Sequence, residues 1–150
     1  MSLLNPLKIR ILSPNVQPPE YATVGSAGMD LCANLDDMLA IAPGAIVRVP
    51  TGLAIALPDS EHVAIIAARS GLAVRHGIAL ANGIGVIDSD YRGEILVGLI
   101  NQSDRVYEIE PGERIAQMLI MPVCRPTLEV CESLCETQRS TGGFGSTGRL

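Results

Sequence analysis

A chain of 150 residues that is 47% hydrophobic, with a mean hydropathy of +0.31, describes one globular domain and excludes a wholly disordered polypeptide. The net charge of −5 gives no electrostatic footprint for nucleic acid or an anionic membrane surface, so neither is expected as a partner. Eleven basic residues include a single lysine, Lys8; the other ten are arginines, the side chain suited to bidentate recognition of phosphate or carboxylate.

In chain order, short β-branched and aliphatic runs predict strands at 8–12, 46–50, 53–57, 62–67, 85–87, 95–101, 106–109, 115–122 and 127–130. Turn-forming pairs separate them: Pro43-Gly44, Thr51-Gly52, Pro58-Asp59, Asn82-Gly83 and Pro111-Gly112. One short helix is expected through Leu72 and Arg75, with Ser70 at its N-cap. Strands at this spacing predict an all-β sandwich or barrel. Three tyrosines, one phenylalanine and no tryptophan leave the core to Val, Ile, Leu, Ala and Met. No window suits a transmembrane helix, and residues 1–8 lack a cationic start followed by an apolar signal core, so a cytoplasmic location is expected. Cys32, Cys124, Cys131 and Cys135 have no metal-ligand spacing and are read as free intracellular thiols, with Cys131 and Cys135 buried.

Composition shifts after Glu136, where residues 137–150 read TQRSTGGFGSTGRL. Such a segment buries too little apolar area to offset its ordering entropy and reads as a frayed end. Phe144 amid glycines also admits an arm that orders on a ligand, the ring against something flat and Arg139 against something anionic.

Chemistry concentrates in five stretches. In AGMDL at 27–31, Asp30 stands in a strand-like run and needs backbone N–H groups or an arginine. ARSGLA at 68–73 brings a guanidinium, a hydroxyl and helix-start N–H groups together, the composition of an anion site, although an N-cap alone explains Ser70. NGIGVIDSDYRGE at 82–94 reads as the turn and first strand of a β-hairpin with a crowded loop. Asp88 at its strand end can take a proton from water, Tyr91 can cover a sugar or base, and Asn82 can donate and accept toward a pyrimidine edge. The same aspartates and Arg92 can equally form a solvated network. GERIAQM at 112–118 places Gln117 in an apolar strand, where it either braces a neighbour or faces a polar ligand. The fifth stretch is the tail. His76 receives no role.

Taken together and in this order, the five stretches closely resemble the trimeric dUTPase family, which hydrolyses dUTP to dUMP and pyrophosphate. One departure is Ala68, where that family usually has proline. The resemblance implies a jelly-roll-like, distorted barrel of β-clip type at 1–136, one short helix, and a mobile glycine-rich arm at 137–150 that closes over an active site. It implies a homotrimer with sites shared between subunits. By that likeness Asp88 activates the water that attacks the α-phosphorus in line, and Arg69, Ser70, Gly71 and Gln117 hold the phosphates. Asn82, with backbone groups near Val86, Ile87 and Leu96, reads uracil, and Tyr91 packs on deoxyribose. Phe144 stacks on the base beside Gly145, Arg139 meets the terminal phosphate, and Asp30 is a structural carboxylate. Mg²⁺ is expected on the phosphates and water, with no direct protein ligand. The related dCTP deaminases and a non-catalytic dUTP-binding protein are the alternatives, separated by ammonia release from dCTP and by binding without product.

Overall fold

The computed structural model describes residues 5–143 and is all-β apart from one helix. The strands are β1 (Lys8–Ile11), β2 (Met29–Cys32), β3 (Leu39–Ile41), β4 (Ile46–Pro50), β5 (Leu53–Ala56) and β6 (His62–Ala68). Helix α1 (Ser70–His76) follows, then β7 (Ile78–Leu80), β8 (Gly85–Ile87), β9 (Leu96–Asn101), β10 (Tyr107–Ile109) and β11 (Arg114–Pro122). They form a four-stranded sheet, β2-β11-β6-β8, a three-stranded sheet, β4-β9-β7, and the antiparallel pairs β1-β5 and β10-β3. The arrangement is jelly-roll-like, but its strands are shared among these sheets and close into no continuous barrel among the described residues.

Alternating side chains of these sheets meet in one aliphatic core that includes Leu31, Ile41, Val49, Ile78, Ile95, Leu99, Ile109, Ile115 and Met118, each at most 1% exposed. Thr51 and Asn101 are the buried polar residues of that interior, and Asn101 is fully enclosed. Its amide donates to the Ile41 and Arg105 carbonyls, and its oxygen accepts from the backbone and hydroxyl of Ser103, so burial leaves nothing unpaired.

Strands β4 and β8 have their expected bounds, and the glycines of four expected turns, Gly44, Gly52, Gly83 and Gly112, all have positive φ. Four expectations need correction. The capping residue of α1 is Arg69, not Ser70, and no side chain caps the helix, because a guanidinium has no acceptor to offer the first N–H groups; it donates instead to Asp30 and to the Arg114 carbonyl. Strands β8 and β9 make no hairpin: β8 pairs with β6, while β9 lies between β4 and β7 in another sheet. Residues 127–130 form no strand, since nothing pairs with them and Leu128 and Val130 are 90% and 100% exposed. All four cysteines are free, and Cys131 and Cys135 are exposed rather than buried. Among the described residues no helix is long and apolar enough to cross a membrane.

Candidate active site

The site residues fall into two groups along β6. The first lies at its end. Asp30 on β2 and Gln117 on β11 are register partners, and Gln117 in turn faces Ala67 of β6. The strand then delivers Arg69, whose Nε donates to Asp30 Oδ1 at 3.0 Å and whose Nη1 donates to the Arg114 carbonyl at 3.0 Å. Arg114 donates to the other carboxylate oxygen at 3.1 Å. Asp30 thus carries one negative charge between two guanidiniums, which leaves the cluster with an excess positive charge beside Ser70 and Gly71. Ser70 and Gly71 are exposed there.

Gln117 braces its neighbour strand: its amide nitrogen donates to the Ala68 carbonyl at 3.0 Å. Ala68, where the resemblance leads one to expect proline, is the last residue of β6 and pairs with Ala116. The Cys32 thiol beside this cluster is pushed above its ordinary pKa, first by burial and then by the Asp30 charge. A larger groove of about 880 Å³ borders the cluster, with Pro18, Pro19, Tyr21, Asp30, Cys32 and Arg114 on its walls.

The second group surrounds a small open cleft of about 130 Å³. Asn82, Val86, Ile87 and Leu96 all line it, with Ile66 and Gly98. Four residues expected to read the base are therefore brought together, although they do so across two sheets and not within a hairpin. Gly85 makes this possible: a Cβ there would lie 2.9 Å from Cβ of Ile66, so the close approach of β8 to β6 admits only glycine without a shift.

Beyond β8 the chain turns at Asp88, whose carbonyl accepts from the Tyr91 N–H at 3.1 Å. The Tyr91 hydroxyl donates to the Glu94 carbonyl at 3.0 Å, laying the ring over Gly93. Arg92 donates to the carbonyls of Ser89 and Tyr91 and clips the loop from within; it makes no ion pair with Asp88 or Asp90. Asp88 is consequently left exposed with its carboxylate outside any recorded salt bridge.

Of the remaining expected residues, Arg139 is exposed and donates to the Gly142 carbonyl at 2.9 Å, within the tail itself. Phe144 and Gly145 lie outside the described residues. His76, which received no role, packs its ring against Tyr107 with centroids 5.2 Å apart. Arg114 is the site residue that sequence reasoning missed. The signal was present, since the residue stands in the same GERIAQM stretch as Gln117, but a regular strand would have turned it to the opposite face.

The dUTPase family model matches residues 15–148. A deoxyuridine 5'-triphosphate nucleotidohydrolase of Desulfitobacterium hafniense is 57% identical over 130 residues, 87% of this chain and 86% of that protein. One of Klebsiella pneumoniae is 46% identical over 151 residues, covering 98% and 99% of the two chains. Among solved structures, the dUTPase of Staphylococcus bacteriophage 80alpha with dUpNHpp matches with a TM-score of 0.85 at 26% identity, over 96% of this chain and 99% of that one. From the motif residues, their two-part placement on β6 and these matches, the chain belongs to the dUTPase family.

Proposed function

We propose that the chain hydrolyses dUTP to dUMP and pyrophosphate, in a homotrimer whose sites are each assembled from more than one subunit. The observation that carries the shared site is the register of β6. Gly85 faces Ile66 and Ile87 faces Ala64, so Asp88 stands past Ala64 toward the start of β6, whereas Arg69 follows its end. Five to six residues of extended strand separate the two levels, roughly 20 Å at the usual rise. An Asp88-activated water and an Arg69 phosphate clamp of one chain are too far apart to serve one α-phosphorus. The same two groups from neighbouring copies meet that need. The unpaired residues 123–143 also favour association, because Leu128, Val130 and Leu134 are 87–100% exposed.

In this reading the small cleft takes uracil. The Asn82 amide matches its donor and acceptor edge, while cytosine's amino group would leave polar groups mismatched, a difference that discriminates strongly at a desolvated site. Tyr91, fixed by its hydroxyl on Glu94, covers deoxyribose and crowds a 2′-hydroxyl. Arg69, Ser70 and Gly71 hold the phosphates, with Gln117 beside them. Asp88 accepts the proton of the attacking water, the new bond forms at the α-phosphorus in line, and pyrophosphate leaves. Arg139, Phe144 and Gly145 belong to an arm at 137–150 that closes over the site, with the body at 1–136.

The donor set fits Mg²⁺ carried on the phosphates. No group of three His, Cys, Asp or Glu side chains converges among the described residues, and both Asp30 oxygens are engaged by arginines. Bound in that way, the ion supplies charge neutralisation and holds the phosphate chain in line. Free thiols suit a reducing compartment such as the cytoplasm.

The test has two arms. Pyrophosphate release is measured on dUTP, dCTP, dTTP and UTP with Mg²⁺, and turnover confined to dUTP is expected; ammonia from dCTP or binding without product would overturn the reaction. Asp88→Asn and Arg69→Gln subunits, each inactive alone, are then mixed after unfolding and refolding. Recovery of a substantial fraction of activity is expected, and none would place the whole site within one chain.

A further inference from the structure

We infer that Arg114 is a positioning residue that keeps the Arg69 guanidinium turned toward the phosphates, acting through the carboxylate the two share. The inference rests on Arg69 as a phosphate ligand, as argued above. In a regular strand, residues three apart point to opposite faces, so Arg114 and Gln117 should not meet. Strand β11 breaks its register between Arg114 and Ala116: Gln117 faces Asp30 and Ala116 faces Leu31, but Arg114 faces Cys32. The bulge absorbs one residue, and a bulge characteristically re-aims the side chain beside it. Because Cys32 and Asp30 are two apart on β2, Arg114 arrives on the Asp30 face, with Nη1 3.1 Å from Oδ2.

That placement decides what Arg69 can do. Asp30 meets it through Oδ1 alone, at Nε, and the Arg114 carbonyl takes one N–H of Nη1. A guanidinium has five N–H donors, so three remain for a ligand. If Oδ2 were vacant, the carboxylate would accept Arg69 in a two-bond fork, the preferred geometry of the pair, and draw those donors inward. Arg114 prevents this by occupying Oδ2, and its own backbone carbonyl holds the other side of Arg69. Its side chain, 57% exposed, is otherwise spare for structure.

Inorganic tripolyphosphate binding to the assembled protein, followed by calorimetry, tests this without requiring turnover, so a failure of dUTP hydrolysis would leave it readable. Arg114→Gln is expected to weaken tripolyphosphate affinity about tenfold, within the usual range of coupling between contacting residues. In an Asp30→Asn background the same change is expected to alter affinity less than about threefold, because the neutral amide no longer competes for Arg69. An Arg69→Lys background, which has no fork to lose, should abolish the effect equally and serves if Asp30→Asn fails to fold. A tenfold loss that persists in these backgrounds would make Arg114 a direct anion ligand and overturn positioning. So would an Arg114→Gln protein with unchanged affinity, or a wild-type protein that does not bind tripolyphosphate.

Discussion

The backbone N–H of Gly52 donates to Oε1 of Glu94 at 2.7 Å, joining the turn after β4 to the loop that carries Asp88 and Tyr91. Beside it the buried Thr51 hydroxyl donates to the Ile95 carbonyl at 2.7 Å, and the Ile95 N–H donates to the Leu53 carbonyl at 2.8 Å. The loop is therefore held from a neighbouring sheet pair, which is why the chain crosses between sheets instead of closing a hairpin. Glu94→Ala should strand the Gly52 donor and cost about 1–3 kcal/mol. The urea midpoint should fall, and kcat for pyrophosphate release should fall with it although Asp88 is untouched.

Gly85→Ala should destabilise by about 1–3 kcal/mol, the usual effect of overpacking, because the new methyl meets Cβ and Cγ1 of Ile66 at 2.9 and 3.1 Å. Ile66 is 4% exposed and branched at the point of contact, so it has little room to yield. The base cleft lies on this seam. Denaturation and KM for dUTP should both register the change, and a KM equal to wild type would separate the seam from the base site.

Tyr107 donates its hydroxyl to Glu113, and burial, followed by that carboxylate, holds its phenol well above the ordinary tyrosine range. A raised folded pKa means that stability is intact below the unfolded value, about 10, and is lost as pH rises from there, since only the unfolded chain releases the proton. With no tryptophan in the chain, phenolate absorbance follows this cleanly. One of the three tyrosines should ionise only when the protein unfolds, and Tyr107→Phe should remove that late step.

Deleting residues 137–150 should leave the unfolding free energy from urea denaturation within about 0.5 kcal/mol of wild type, because residues 137–143 contribute nothing to the aliphatic core. Turnover should fall by more than about tenfold if the arm closes the site. A folded, fully active truncation would make the segment a bystander.

Strand β4 was legible because it runs between the Pro43-Gly44 and Thr51-Gly52 turns and carries three β-branched residues, Ile46, Val47 and Val49, and β8 because glycine and Asp88 bound it. Strands β3 and β7 were not, for three residues such as LAI or IAL cannot display a period. The helix was readable in place but not in its cap, since it begins one residue earlier than the local preference of serine for the N-cap suggests. Gln117 announced itself as a polar residue in an apolar run. Arg114 did not, because its position depends on a register break that only the pairing with β2 reveals. Asn82, Val86, Ile87 and Leu96, grouped on the family likeness, do line one cleft, but not as a hairpin, since the loop is anchored by Thr51 and Gly52 some forty residues away in sequence.

The fully buried core contains no aromatic ring among the described residues. Tyr21 on the wall of the large groove and Tyr91 in the loop beyond Asp88 are exposed, and only Tyr107, beneath His76, packs against the edge of the core. Near-ultraviolet dichroism of this protein thereby reads the core at one edge and otherwise its surface. Methyl resonances must report on the deep interior, while the optical signal of Tyr91 is left free to report changes in its own loop.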